Sequence, residues 1–228
     1  MKKVYFILIL LINLYMGNAQ IYEIGIFGGG SNFIGDVGST KFIAPEKIAV
    51  GGLIRWNRSQ RHSFRASMIY TTIAANDNLS SDPKREQRGY YFSAKTLEIS
   101  AGIEFTFLDF DLHSGDFIFT PYIYTGISML SHPNFYYVNN ILIPEKTNSY
   151  AFGIPIALGA KFTLSEHFIL GVEIAARCTF SDEIDGSLPD SDELSSLKFG
   201  NINNNDWYVF SGFTLTYTFG RNPCFCVY

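Results

Sequence analysis

Charged residues recur at alternate positions within apolar runs of the sequence. From Thr96 to Phe107 every odd-numbered residue is Leu, Ile, Ala or Phe, whereas Glu98 and Glu104 occupy even positions. A period of two is the side-chain period of a β-strand, so these acids share one face. Extending the alternation to the other runs places four acids and four bases on that face: Glu23, Arg55, Arg65, Glu98, Glu104, Lys161, Glu173 and Arg177. We expect them to pair in a closed network, because an unpaired buried charge costs several kcal/mol.

Catalytic chemistry has one weak candidate, His132. It lies close after Ser128 and Ser131, and small barrel enzymes that act on lipids use a His with a Ser and an acid. The other three histidines fall in predicted turns. A loop His near a Ser is common by chance, and Gly28-Gly29-Gly30 ends a strand without opening a helix. We therefore predict no catalytic, cofactor-binding or metal-binding residues and no enzymatic activity.

The first 19 residues have the organisation of a secretory signal peptide. Lys2 and Lys3 precede an apolar stretch from Val4 to Met16, which closes on Gly17-Asn18-Ala19. This pattern predicts cleavage before Gln20. The stretch is shorter than the roughly 20 residues that a membrane-spanning helix needs, and no Cys follows Ala19, which disfavours a retained anchor and a lipoprotein.

The rest of the chain predicts an all-β transmembrane barrel over residues 20–220. The chain is 47% hydrophobic and 16% aromatic but 17% charged, and no long apolar run follows the signal. A membrane protein without membrane helices must be a closed barrel, because lipid leaves unpaired backbone groups unsatisfied. Eight alternating runs predict an eight-stranded antiparallel barrel of the outer-membrane type: 21–29, 47–57, 63–72, 96–107, 119–129, 150–164, 168–179 and 206–220.

A soluble lipocalin-like or sandwich domain is the alternative for eight alternating strands. It would need large apolar residues on the buried parity, whereas here the opposite parity is Gly, Ser, Thr, Glu and Arg. The lumen of an eight-stranded barrel is only wide enough for its own side chains, which disfavours a porin. Removing two lysines with the signal changes the net charge from −4 to −6, which argues against nucleic acid as a partner.

The connections alternate between short and long, as in outer-membrane barrels with both termini in the periplasm. The short set is 58–62, 108–118 and 165–167, and the long, external set is 30–46, 73–92, 130–149 and 180–205. Residues 76–88 and 181–205 are rich in Asn, Asp, Ser and Gly, so we expect them to remain unordered. Lys84, Arg85 and Arg88 could contact lipopolysaccharide phosphates, although a charged run in a loop is usually solvated.

The C-terminal residues 221–228 extend beyond the last predicted strand as a periplasmic tail. Cys224 and Cys226 are separated by one residue, and a disulfide between them would be strained. Cys178 is predicted near the external end of the barrel, across the bilayer from the tail. One hypothesis is a frayed terminus with a strained or reduced pair. The other is a disulfide from Cys224 or Cys226 to a periplasmic partner, since the periplasm is oxidising.

Five stretches resemble the PorG-like barrels of the type IX secretion and gliding machinery: Tyr22 to Asp36, Arg61 to Arg65, Arg88 to Tyr90, Leu97 to Phe105 and Thr120 to Gly126. The resemblance implies a non-enzymatic outer-membrane component that docks to periplasmic ring subunits of a secretion complex. It implies no catalytic residues. The alternatives are a stand-alone structural barrel of the OmpA/OmpX type, surrounded by lipid and lipopolysaccharide, and a lipid A-modifying barrel enzyme.

Overall fold

The computed structural model describes residues 21–112, 117–189, 191–201 and 204–220. The predicted signal peptide, His113 and the tail with Cys224 and Cys226 lie outside the described residues. The eight strands are β1 (Ile21–Ile34), β2 (Lys47–Asn57), β3 (His62–Asn76), β4 (Tyr91–Thr106), β5 (Phe119–Val138), β6 (Ile141–Thr163), β7 (Phe168–Thr179) and β8 (Trp207–Gly220). One helix, α1 (Pro83–Arg88), and 3-10 turns at Asp77–Leu79 and Asp192–Leu197 lie in the connections.

The strands form a closed antiparallel barrel in which each pairs with the next and β8 pairs with β1. This confirms the predicted fold class. Following paired residues from Tyr22 through each strand leads to Val209 and then to Asn32, ten residues (22 to 32) farther along β1. A shift of ten over eight strands tilts them by about 40°. Those ten residues then rise about 25 Å along the axis, which matches the apolar band of membrane barrels.

Side chains alternate between a buried interior and an exposed apolar exterior. Ile26, Ile127 and Phe213 on the outside are 64%, 73% and 61% exposed, whereas inward polar residues on the same strands are buried. We call the end that holds Ile21 and Gly220 the terminal end and the opposite one the loop end. Aromatic side chains ring the exterior at the terminal end, where Tyr22 stacks on Phe219 with ring centroids 6.0 Å apart.

The loop end departs from the sequence prediction between β5 and β6. The prediction of a loop over residues 130–149 is wrong, because β5 and β6 continue through this range and meet in a two-residue turn. Asn139 and Asn140 have φ of 49° and 65°, the left-handed conformation that a type I′ hairpin turn requires and that Asn tolerates. The strands therefore project as a hairpin beyond the paired ends of their neighbours.

The interior has two zones. Toward the terminal end it is filled by charged side chains. Toward the loop end it is an apolar cluster, built from strand residues such as Phe92 and Phe210 and completed by loop residues Val37 and Ile184. No helix among the described residues is long and apolar enough to cross a membrane.

Candidate functional site

The structure brings all eight predicted inward charges together in the lumen. Each comes from an inward position of its strand, and none is more than 2% exposed. Every one of the eight has an oppositely charged partner within ion-pair distance. The group is electrically balanced, as buried charges need to be.

Glu104 on β4 is the centre of this network. Its carboxylate accepts hydrogen bonds from Arg55 Nε at 2.9 Å and from Lys161 Nζ at 2.8 Å, and Arg65 Nη1 lies 3.8 Å away. Glu23 accepts from Arg55 Nη1 at 2.8 Å, so Arg55 lies between two acids. One carboxylate thus holds cations from three strands, β2, β3 and β6.

Two ion pairs cross the lumen from wall to wall. The Arg65 guanidinium on β3 donates to both oxygens of Glu173 on β7, at 2.6 and 2.8 Å. Arg177 on β7 donates to Glu98 on β4, with Nη2 at 2.9 Å from Oε1. Two-pronged guanidinium–carboxylate contacts are the strongest ion-pair geometry, so these contacts fasten opposite walls together. They fill the space that a channel would need.

Both ends of the lumen are closed by aromatic side chains. At the terminal end Phe110 folds inward over Lys161, with Lys161 Nζ 4.8 Å from the centroid of the Phe110 ring. The backbone N–H of Phe110 donates to the carbonyl oxygen of Gln60. The cavity beside them holds about 10 Å³, at the limit for one water molecule. On the loop side, Phe210 covers Arg177 at 4.7 Å. The charged zone is therefore enclosed between aromatic layers.

The long connections fold into a cap, which contradicts the expectation that they remain unordered. Asp77 accepts hydrogen bonds from Gly38 N–H at 2.8 Å, from Tyr90 N–H at 2.9 Å and from Arg88 Nε at 2.8 Å. Arg88 also lies over the rings of Tyr90 and Phe199, at 4.7 and 5.0 Å. Isolated apolar residues in these polar segments find partners on other segments, which local composition cannot reveal.

Two of the three basic residues suggested as lipopolysaccharide contacts are bound within this cap. Arg85 Nη1 donates to Gly35 O and Gly38 O, at 2.8 and 3.0 Å, and Arg88 Nη2 donates to Asp36 O at 2.7 Å. Lys84 is exposed. Arg85 and Arg88 thus hold the second loop-end connection against the first through hydrogen bonds to its backbone.

Four aspartates that the sequence analysis did not identify lie close together in the cap: Asp36, Asp182, Asp185 and Asp206. Asp185 Oδ2 accepts from the backbone N–H of Asp36 at 2.8 Å, and Asp206 Oδ2 accepts from that of Ile184 at 2.9 Å. Burial and the nearby carboxylates raise the pKa of Asp182 to about 7 and that of Asp206 well above its usual range. In the described residues no set of three or more His, Cys, Asp or Glu is arranged to hold a metal ion.

Among the described residues, His132 has no catalytic partner. It faces inward at 1% exposure, and its Nδ1 lies 3.4 Å from the carbonyl oxygen of Pro133. Within the described residues Nε2 has no hydrogen-bond partner. A general base must reach its nucleophile, and no hydrogen bond in that part of the chain joins His132 to Ser128, to Ser131 or to a carboxylate.

Among solved structures, the chain is similar to the N-terminal β-barrel domain of OprF from Pseudomonas aeruginosa, with 11% identity, a TM-score of 0.48 and coverage of 90% of this chain and 100% of that one. It is also similar to the attachment invasion locus protein Ail of Yersinia pestis (10%, 0.44, 90% and 100%) and to Neisserial surface protein A (10%, 0.45, 88% and 97%). No curated protein matches the chain. A family model described as a domain of unknown function, DUF6089, matches residues 2–228, and the chain therefore belongs to that family.

Proposed function

We propose that this protein is a sealed outer-membrane β-barrel that acts as a structural component of the envelope, and neither as a pore nor as an enzyme. The observation that carries the proposal is the contrast between an uncharged apolar exterior and a lumen closed by ion pairs. No outward position of the described strands carries a charge between the aromatic ring at the terminal end and the level of Gly30 on β1. Such a surface suits hydrocarbon and not water.

Planar-bilayer recording tests the closed lumen. The refolded protein is expected to insert and to give no steady unitary conductance, because the Arg65–Glu173 and Arg177–Glu98 pairs bridge the lumen. Insertion is checked separately by protease protection of the same refolded protein in lipid vesicles. A steady conductance from inserted wild-type protein would contradict the proposal.

The finer proposal is a component of a type IX secretion complex that docks to periplasmic ring subunits. It is supported by the resemblance of the five stretches to PorG-like barrels. The terminal end also offers a surface for a partner: Phe117 in the β4–β5 turn is 74% exposed, and the ion pair between Arg61 and Asp109 joins two neighbouring turns there. Exposed apolar and charged side chains on the same end of a protein are typical of contact surfaces.

Co-purification from detergent-solubilised membranes tests this finer function. The tagged protein is expected to bring down periplasmic ring subunits, and the Phe117→Ser variant to bring down less. Ser165→Ala, in the β6–β7 turn of the same end, is the control. Recovery of the barrel alone from mild detergent, together with normal cargo secretion in a deletion strain, would leave a stand-alone structural barrel as the function.

A further inference from the structure

The segment from Lys41 to Glu46 lies on the outer wall of the barrel instead of over its mouth. Asn32 has the outward parity of β1, and its side-chain Nδ2 donates to the carbonyl oxygens of Lys41 and Phe42, at 3.0 and 3.1 Å. The backbone N–H of Glu46 donates to Ser31 O at 3.0 Å. The segment is thus fastened to the wall near both of its ends.

The wall beneath this segment is made of small or buried residues. A Cβ added to Gly30 would lie 2.5 Å from Pro45 Cβ, whereas one added to Gly28, the preceding outward residue, would meet nothing within 4 Å. Val209 has the outward parity of β8 and pairs with Asn32, yet it is 1% exposed. The segment therefore covers a patch where the strands themselves present little apolar surface.

The outer side of the segment is apolar and exposed. Phe42 and Ile43 are each 58% exposed, and the Phe42 ring meets Trp207 edge-on with centroids 6.3 Å apart. Ile48, the second residue of β2, is 79% exposed. These side chains continue the apolar exterior of the barrel, which we call the belt. Asn32, to which the segment is hydrogen-bonded, lies ten residues above Tyr22, or about 25 Å along the axis. That height is the upper limit of a membrane barrel's apolar band.

We propose that residues 41–46 form a membrane anchor that inserts Phe42 and Ile43 among the lipid acyl chains of the outer leaflet. The proposal rests on the proposed function as an outer-membrane barrel and adds a lipid contact made by a connection instead of a strand. We assign lipid hydrocarbon as the partner of Phe42 and Ile43 because these side chains are continuous with the belt. Phe42 and Ile43 supply apolar side chains where the paired outward residues of β1 and β8 are Gly30 and Ser211, which carry almost no apolar surface of their own.

Fluorescence quenching by lipid tests the anchor. In a background with all three cysteines replaced by Ser, a polarity-sensitive probe is attached to Ile43→Cys, to Phe213→Cys in the belt and to Lys84→Cys on α1. Each protein is refolded into phosphatidylcholine vesicles with or without brominated acyl chains. Quenching at position 43 is expected to approach that at position 213 and to exceed that at position 84 several-fold.

A matched pair of glycine variants tests whether packing of residues 41–46 on the barrel wall is what places Ile43 in the lipid. Gly30→Val should displace Pro45 and reduce quenching at position 43 without changing it at position 213, and Gly28→Val should change neither. Quenching at 213 with none at 43 would overturn the anchor and leave the membrane barrel intact. Absence of quenching at 213 would instead refute the proposed function.

Discussion

Glu104 shows how a charged residue is tolerated at the centre of a barrel. Its carboxylate is 0% exposed and has lost all hydration, but it lies against Arg55, Lys161 and, farther away, Arg65. A buried ion pair adds little to stability relative to apolar residues of the same size. Losing one partner is different, because the remaining charges keep their desolvation cost without compensation.

Glu104→Gln should therefore lower the free energy of unfolding by about 3–5 kcal/mol. Ile103→Leu, one residue away on the lipid face, should cost less than about 1.5 kcal/mol. The measurements are urea unfolding in vesicles and the temperature at which the compact band unfolds on electrophoresis. Similar losses in both variants would mean that the two faces of β4 have been interchanged.

The aspartates in the cap make its stability depend on pH. Asp182 has Asp36, Asp185 and Glu183 as its charged neighbours, and its folded-state pKa is raised from 3.8 to about 7. The folded cap therefore binds more protons than the unfolded one between about pH 4 and 7, so this group's contribution falls as pH rises through that window. Asp206, whose pKa is also raised, changes stability in the same direction.

Hydrogen exchange at the Ile184 amide, which donates to Asp206, measures this effect. Exchange, corrected for its intrinsic pH dependence, should show weaker protection at about pH 8 than at about pH 5. Asp182→Asn should reduce the difference, and Glu193→Gln, on the exposed 3-10 turn, should leave it unchanged. Equal protection at both pH values in the wild type would contradict the prediction.

At the scale of elements, the strands were predictable because, within the membrane, each one separates lipid from lumen. The predicted bounds of β2 and β7 agree with the structure, and the other six differ only at their ends. Alternation weakens where a strand leaves the membrane, since neither face then needs to be apolar. This is why the outer parts of β5 and β6, around Leu130 and Ser149, were taken for a loop.

The inward position of the charged residues was predictable for the same reason, but their pairing was not. Arg55 and Arg65 are direct neighbours across β2 and β3, an arrangement that looks repulsive in isolation. Their acids are supplied by β1, β4 and β7, and which acid meets which base depends on the ten-residue shift around the barrel. That shift is a property of all eight registers together and leaves no local trace in the sequence.

Asp77 is the residue on which the cap elements depend. It binds the first connection through Gly38 N–H and its own connection through Tyr90 N–H and Arg88. Asp77→Ala should release α1 and expose its Lys and Arg bonds to trypsin, which the wild type should resist. Asp82→Ala removes only the helix cap at Lys84 N–H and should have a small effect. Rapid cleavage of the wild type within 83–88 would show that the cap is open.

At the scale of the whole molecule, a closed wall and a bridged lumen leave three surfaces for interaction. These are the lipid-facing belt, the loop end with its cap and projecting hairpin, and the terminal end with its short turns. In the sealed barrel proposed above, function resides on these surfaces. The proposed secretion role uses the terminal end, and the proposed anchor uses the belt.

Orientation decides which partners each end can meet, and we infer it from the asymmetry of the connections. Large connections are external in outer-membrane barrels and short turns are periplasmic. We predict that Asn148→Cys, exposed on the projecting hairpin, reacts with a membrane-impermeant maleimide on intact cells. Glu166→Cys, exposed in the β6–β7 turn, should react only after the outer membrane is permeabilised.

Both variants carry Ser at the three native cysteine positions, and both should react in detergent, which shows that each thiol is accessible in the folded protein. Labelling at position 166 but not at position 148 on intact cells would show that the barrel has the opposite orientation in the membrane. The terminal end would then lie outside, where no periplasmic ring could reach it, and the secretion role would fail together with the orientation. Labelling of both positions only after permeabilisation would mean that the cell surface shields the hairpin, and the same maleimide on oriented vesicles would then decide the orientation.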